Sequence, residues 1–292
     1  MYYYIKFYGI FIMLILLKEV FVMYRKLVDM HVHTDNSPDG HHSAMFMCEK
    51  AELMGVRALA FTDHCEIDTY TKEKYDLRFK QSYFEVSKAQ SAFRGKVLVL
   101  KGIELAQGHY DKGLTDSVLS KYDFDVVTGS IHALRKSTDF CHLDGYNEEN
   151  VRSYTEKYLR EIYNMVKWGS FDVLAHLTYP FRYFYQKAGI DVDINDYSAQ
   201  VDEILSLLAE KEKALEINTA GLRQPINRLS PEKDTVKRFR ELGGKYVTFG
   251  SDAHYADDIC AGIDEAYGAM FEAGFREFTI YQKRTPILMP IE

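Results

Sequence analysis

Short apolar runs alternate along this chain with longer segments in which apolar residues recur at the spacing of a helix. Seven runs have the length and the residue types of strands: 27–33, 58–64, 97–105, 126–132, 173–177, 214–219 and 246–252. Six segments have helical spacing: 44–54, 73–93, 148–166, 197–212, 231–242 and 263–271. This regular alternation of strands with helices predicts an α/β fold.

The chain has few of the residues that mark domain linkers. It contains only 6 prolines, and no stretch rich in Pro, Gly or Ser divides its 292 residues. Because α/β barrels of about 250 residues often form one domain, we expect a single domain. Long connections at 107–120, 134–146 and 178–195 follow predicted strands, and in α/β barrels such loops build the active-site face.

The first 23 residues stand apart from this alternation. They contain an apolar run at 10–17, followed by Lys18 and Glu19. The run is shorter than the roughly 20 apolar residues that a membrane-spanning helix needs, and no small-residue cleavage site follows it. We therefore interpret 1–23 as an extension produced by a start site assigned too far upstream, and we prefer this interpretation to a membrane anchor. Residues 24–292 would form the folded domain.

Composition and charge exclude several classes of protein. A chain with 47% hydrophobic and 14% aromatic residues can bury a large core and is not disordered. Its 36 basic and 43 acidic residues give a net charge of −7, and no basic run could neutralise a string of phosphates, so extended nucleic acid is not an expected partner. The four cysteines are scattered, as is typical of free thiols in a reducing, cytoplasmic protein.

Almost every predicted strand ends in a residue that can bind a metal ion. Six of the ten histidines are among them, and the full set is His31, His33, His64, Glu104, His132, His176, Glu216, Asn218, Asp252 and His254. In a parallel barrel the carboxyl ends of all strands lie on one face, so we expect the side chains to converge. Imidazole and carboxylate ligands, without thiolate, suit Zn²⁺, Fe²⁺ or Mn²⁺.

The ordered motifs of the chain carry a family resemblance. In chain order they are D-M-H-V-H-T at 29–34, S-P-D-G at 37–40, T-D-H at 62–64, G-I-E at 102–104, G-S-I-H at 129–132, E-I-N-T at 216–219 and G-S-D-A-H at 250–254. Together they resemble the PHP (polymerase and histidinol phosphatase) family, with the histidinol-phosphate phosphatase branch as the closest match. The resemblance covers residues 26–292. It implies a single-domain, distorted seven-stranded (β/α)7 barrel of the TIM-like type that holds three divalent metal ions.

The resemblance also implies nine metal ligands in three groups. One ion would be bound by His31, His33, Glu104 and Asp252, a second by Glu104, His132 and His176, and a third by Asp39, His64 and His254. Glu104 would bridge the first two ions. His41 and His42 are lower-ranked substitutes for Asp39.

The activity implied by the resemblance is a metal-dependent phosphomonoesterase that hydrolyses L-histidinol phosphate to L-histidinol and phosphate, a step of histidine biosynthesis. A metal-bridging hydroxide held by Glu104, Asp252 and His254 would attack the phosphorus in line. Divalent cations favour this chemistry because they lower the pKa of bound water toward about 7 and neutralise the phosphoryl oxygens.

Further residues are predicted to bind the substrate or to orient ligands. Arg223 and Arg182 would bind phosphate through their planar guanidinium groups. Asn218 would hydrogen-bond the substrate or tie down the end of its strand, and Asp63 would orient a neighbouring imidazole. The aromatic residues between 179 and 185 would form one wall of the pocket: Tyr179, Phe181, Tyr183, Phe184 and Tyr185.

Two other functions stay open. One is a PHP phosphoesterase that acts on nucleotides or oligonucleotide ends, and the other is a metal-binding interaction module that has lost turnover. An amidohydrolase-type barrel usually places a lysine at the bridging position, where this chain has Glu104. For the leading function the partner would be a small-molecule phosphate monoester, no membrane is involved, and the sequence specifies neither the oligomeric state nor the metal.

Overall fold

The computed structural model describes residues 27–291, so the predicted extension at 1–23 lies outside the described residues. Its strands are β1 Val28–Val32, β2 Ala58–Phe61, β3 His64–Glu66, β4 Leu98–Ala106, β5 Val126–Ser130, β6 Val173–Leu174, β7 Ala214–Asn218, β8 Val247–Gly250, β9 Glu277–Gln282 and β10 Thr285–Pro290. Eight of them form one sheet, in which seven follow the order β1, β2, β4, β5, β6, β7, β8 and β3 pairs with β4 outside this order. All the neighbours in this order are parallel.

The sheet curls until its two edge strands meet. Beyond the end of β8, the amide of Asp252 donates to the carbonyl of His31 at 2.9 Å, and the amide of His33 donates to the carbonyl of Ala253 at 2.9 Å. These bonds join β1 to the segment after β8 and nearly close the barrel. The predicted seven-stranded barrel in a single domain is therefore confirmed.

The barrel is distorted where one predicted strand divides in two. The run predicted at 58–64 forms β2 and the short β3, and the nine-residue β4 pairs with both of them in succession. The chain bends at Thr62 and Asp63 between the two strands. This bend sends His64 and Glu66, both on β3, toward the mouth of the barrel.

The helices alternate with the strands and cover the outside of the barrel. They are α1 Ala44–Met54, α2 Tyr75–Ala92, α3 Lys112–Leu119, α4 Glu148–Trp168, α5 Phe181–Ala188, α6 Ser198–Glu210, α7 Lys233–Glu241 and α8 Ile263–Glu272. The predicted bounds of α1 are confirmed, because Ser43 caps its first turn and Gly55 ends it at φ 78°. α3 and α5 lie inside segments that were predicted to be loops, and α7 begins two residues later than predicted.

The amino end of the barrel is covered by the hairpin of β9 and β10, which the hydrophobic pattern did not predict. Arg284, in its turn, donates to both carboxylate oxygens of the buried Asp172 at 2.8 and 2.9 Å. The amide of Lys283 donates to Asp125 at 3.0 Å. The hairpin is therefore fixed at the end opposite the strand carboxyl ends. Within residues 27–291, none of the helices is long and apolar enough to cross a membrane.

Candidate metal centre

The first predicted ligand group is buried at the carboxyl ends of β1, β4 and β8. The Nε2 atoms of His31 and His33 are 3.0 Å apart. They lie 3.5 and 3.6 Å from Glu104 Oε2 and 3.8 and 3.4 Å from Asp252 Oδ1. A tetrahedral ion with bonds of about 2.1 Å separates its ligand atoms by about 3.4 Å. These four side chains therefore surround a volume of the size that one ion requires.

The second group shares Glu104 with the first. Its other carboxylate oxygen, Oε1, lies 3.0 Å from His132 Nε2 and 2.9 Å from His176 Nε2. These two imidazole nitrogens are 3.5 Å apart. Because Oε2 faces the first group and Oε1 the second, the carboxylate stands between the two candidate positions, as a bridging ligand must.

The third group lies nearest to solvent. Asp39 places Oδ1 at 3.5 Å from His64 Nε2 and Oδ2 at 3.3 Å from His254 Nε2. The ring of His33 stacks against both of these imidazoles, with ring centroids 4.3 Å apart in each case. All nine predicted ligands thus meet at one mouth. Outside the three groups, the exposed His41 stacks on Tyr255.

Two carboxylates outside the nine predicted ligands contact the ring nitrogens of ligand imidazoles on the side away from the candidate ions. Glu216 Oε1 lies 2.6 Å from His31 Nδ1, and Glu66 Oε1 lies 2.8 Å from His132 Nδ1. Hydrogen bonds of this kind fix which ring nitrogen faces the metal. Glu66 carried a sequence signal, since it follows His64 by two residues, and alternate residues of a strand face the same side.

The predicted role of Asp63 is corrected by its contacts. Its carboxylate accepts hydrogen bonds from the amide and hydroxyl of Thr34 and from the hydroxyls of Ser37 and Ser82. None of these donors is an imidazole. Asp63 reaches His33 only through Ser37, whose hydroxyl lies 3.0 Å from His33 Nδ1.

Electrostatics favours ionised carboxylates and a neutral His33 in the centre. Burial alone would raise the pKa of Glu104, but positive charge on His132, His64 and His31 outweighs burial and holds this pKa well below its usual range. Asp252 is likewise ionised, because the same opposition between burial and its histidine neighbours lowers its pKa. Burial, with repulsion from His254 and His64, lowers the pKa of His33 to about 4.

The donor set fits divalent cations. Glu104 Oε2 and His176 Nδ1 are buried and find no hydrogen-bond partner among residues 27–291. Glu104 Oε2 does lie 2.8 Å from His64 Nδ1, but as an ion pair outside hydrogen-bond geometry. A buried carboxylate oxygen left without a hydrogen bond is costly, and a cation would stabilise it.

A cleft of about 340 Å³ opens above the three groups. Arg182 lines it with its guanidinium 4.4 Å from the ring centroid of Tyr179 and 3.7 Å from Asp252 Oδ2. Arg223 also lines it, but donates to the carbonyl of Ser251 at 2.7 Å. Both arginines therefore place positive charge in the lining of the cleft.

Asn218 has a structural role, and the residues of the predicted aromatic wall are divided between the cleft and the core. The amide nitrogen of Asn218 donates to Glu216 and Asp252, and its oxygen accepts from the amide of Ala220. The side chain thus ties down the end of β7, the second of its two predicted roles. Of the predicted wall, Tyr179 and Tyr183 line the cleft, whereas Phe181 and Phe184 are buried in the core.

Parallel strands closed into a barrel, with imidazoles and carboxylates gathered at their carboxyl ends, define a class of metal-dependent barrel enzymes. The PHP domain family model matches residues 29–220, and this chain belongs to the PHP family. The predicted family is therefore confirmed.

Individual relatives extend the match beyond the family model. A probable histidinol-phosphatase of Clostridium acetobutylicum is 31% identical over 79% of this chain and 88% of its own length. The histidinol-phosphatase of Lactococcus lactis is 28% identical over 88% of this chain and 94% of its own length. A crystal structure of the Lactococcus lactis histidinol phosphate phosphatase, complexed with zinc, L-histidinol and phosphate, has a TM-score of 0.73 at 24% identity. It covers 90% of this chain and 99% of that chain, and supports the fold.

Proposed function

We propose that this protein is a metal-dependent phosphatase that hydrolyses L-histidinol phosphate to L-histidinol and phosphate. The observation that carries the proposal is the position of Glu104, which stands between two groups of imidazoles under a cleft that contains two arginines. The choice of substrate is supported by relatives named histidinol-phosphatase, which align with most of the chain. The PHP resemblance in the sequence and these relatives favour the same activity.

The cofactors are divalent metal ions, and we propose three of them, which would be zinc, iron or manganese. The nine ligands would divide among the ions in the three groups described above. Such ions, when bound, generate a nucleophile from water at neutral pH and stabilise charge on the phosphoryl group. Glu104 and Asp252 contribute two negative charges to the centre, and the neutral His33 contributes a nitrogen lone pair.

The two arginines would orient the phosphate. Arg182 is held by stacking on Tyr179, and its Nε finds no hydrogen-bond partner among the described residues. A guanidinium presents paired N–H donors to two phosphate oxygens at once. Arg223 is anchored by the carbonyl of Ser251, so its remaining donors can face the cleft. The positive charges of the two arginines would hold the phosphate ester above Glu104.

The rest of the cleft suits a leaving group that carries an aromatic ring and a positive charge. Tyr183, on α5, and Tyr255, after β8, line the cleft, and Asp258 contributes a carboxylate whose Oδ1 also lies 3.5 Å from Nε of Arg223. Ring faces stack on an imidazole, and a carboxylate pairs with an ammonium group. Both of these groups belong to histidinol.

Substrate selectivity tests the proposal. The kcat/KM for L-histidinol phosphate should exceed that for nucleoside monophosphates and simple sugar phosphates by about 100-fold or more, because only the first matches the ring and the charge of the lining. All three are measured by phosphate release from one preparation. Equal or higher kcat/KM for a nucleotide would favour the nucleotide-directed PHP phosphoesterase instead.

A further inference from the structure

Glu66 lies at the edge of the metal centre, but it is not one of the nine proposed ligands. Its side chain is 14% exposed, and its Oε1 is 2.8 Å from Nδ1 of His132. The same oxygen is 3.6 Å from Nδ1 of His64. Both imidazoles turn their Nε2 atoms away from Glu66, His132 toward Glu104 and His64 toward Asp39. Glu66 therefore approaches His132 from the side opposite its Nε2, whereas Nδ1 of His64 lies closer to Oε2 of Glu104, at 2.8 Å, than to Glu66.

The position of Glu66 is fixed by Gln107, which directly follows β4. The Gln107 amide nitrogen donates to Glu66 Oε2 at 3.0 Å, and its amide oxygen accepts from the backbone amide of His132 at 3.0 Å. Gln107 is buried and has φ 53°, a backbone conformation that few residues other than glycine adopt. One side chain thus holds both the carboxylate and the backbone of the histidine that the carboxylate contacts.

We propose that Glu66, held by Gln107, is a positioning residue that fixes His132 as a metal ligand. With its Nδ1 hydrogen donated to Glu66, His132 presents the Nε2 lone pair toward Glu104 and His176. Carboxylate partners of ligand histidines orient the ring and increase its basicity, and their loss typically weakens metal binding about 10-fold to 100-fold. The inference rests on the ligand set of the proposed function, but it concerns metal affinity rather than substrate.

An isosteric substitution separates this role from simple space filling. The two oxygens of Glu66 face two donors, Nδ1–H of His132 and the amide nitrogen of Gln107. In Glu66→Gln, one side-chain atom becomes a donor, so one of these two contacts must be lost although the volume is unchanged. A residue that only filled space would tolerate the change.

Asp68 provides a matched control. Its Oδ1 accepts from the same Gln107 amide nitrogen at 3.0 Å, and no hydrogen bond or ion pair of the described residues joins it to an imidazole. Asp68→Asn makes the same change of carboxylate to amide next to the same glutamine. It should leave metal binding as it is in the wild type.

The test is a Zn²⁺ titration of each chelator-treated, full-length protein against a chromophoric chelator, with thermal unfolding of the same samples. Glu66→Gln should bind one equivalent of Zn²⁺ about tenfold or more weakly, and Glu66→Ala should weaken the same equivalent at least as much. Wild-type affinity in Glu66→Gln, or an equal loss in Asp68→Asn, would overturn the proposal.

Phosphate release by the wild type is measured separately. One outcome is that the wild type fails to hydrolyse L-histidinol phosphate while Glu66→Gln still binds one equivalent of Zn²⁺ more weakly. In that case the proposed function is wrong and the positioning role of Glu66 stands. If the wild type is active and Glu66→Gln keeps every equivalent, the positioning role alone fails.

Discussion

Arg182 and Arg223 contribute the fixed positive charges among the residues that line the cleft, and their surroundings differ. Arg223 is committed in part to the carbonyl of Ser251 and to Asp258, whose Oδ1 is 3.5 Å from its Nε. Arg182 stacks on Tyr179 and keeps an unpaired Nε. Arg182 therefore makes fewer hydrogen bonds to described residues than Arg223 does.

Replacement of Arg182 by lysine tests this difference at the scale of one residue. Lysine keeps the charge but loses the planar pair of donors, so KM for L-histidinol phosphate should rise about tenfold, the loss of one charged hydrogen bond. Steady-state phosphate release measures it. Arg228→Lys is the control and should leave KM unchanged, because Arg228 pairs with Asp191 outside the cleft. An unchanged KM in Arg182→Lys would show that Arg182 does not bind the phosphate.

The strand-end residues could be predicted from the sequence, but their partners could not. His31 and His132 stand at the ends of clear apolar runs, so their convergence follows from the barrel alone. Glu216 contacts His31 across 185 residues of sequence, and Glu66 contacts His132 across 66. Such pairs depend on which side chains face each other after the barrel closes. The error on Asp63 has the same origin.

At the scale of elements, the carboxyl end of β8 shows how closely the strands must approach to build the centre. A Cβ atom on Gly250 would collide with Oε1 of Glu216 and would lie 2.7 Å from Cβ of His31. Only hydrogen fits there, because the Glu216 carboxylate must pass over Gly250 to reach Nδ1 of His31. The backbone of β8 thereby leaves room for the hydrogen bond that orients the first ligand.

Gly250→Ala is predicted to lower both stability and metal binding. Overpacking of this kind typically costs about 1–3 kcal/mol, and displacement of Glu216 would release His31. Urea unfolding and zinc stoichiometry measure the two effects. Gly268→Ala, in the middle of α8, is the control, since its added methyl group meets no atom within 4 Å and should stabilise that helix slightly. Wild-type metal binding in Gly250→Ala would contradict the account of this contact.

Elements with local signals were predicted more accurately than elements without them. The bounds of α1 follow from a serine cap and a terminal glycine. The hairpin of β9 and β10 turns through Lys283 and Arg284, both with positive φ, where an Asn-Gly or Asp-Gly pair would have signalled the turn. The hairpin was therefore missed. Helix α5 lies within the aromatic-rich segment 178–195, which the sequence predicts to be a long connection.

On the scale of the whole molecule, the two ends of the barrel have different roles. The hairpin and the pair formed by Arg284 and Asp172 close the amino end, and the ligand groups and the cleft occupy the carboxyl end. The alternation of strands and helices predicted an α/β fold, and the family resemblance implied the barrel and the metal centre at its mouth. The shape of the cleft was not predictable, because it depends on the path of the connecting loops.

The central claim is that the gathered imidazoles and carboxylates hold metal ions on which hydrolysis depends. Phosphate release from L-histidinol phosphate should be measured on one preparation as isolated, after removal of metal by a chelator, and after return of Zn²⁺ or Mn²⁺. The account predicts that the rate falls by about 100-fold or more on removal and recovers as the ions are restored. An undiminished rate in protein shown by elemental analysis to be free of metal would contradict it.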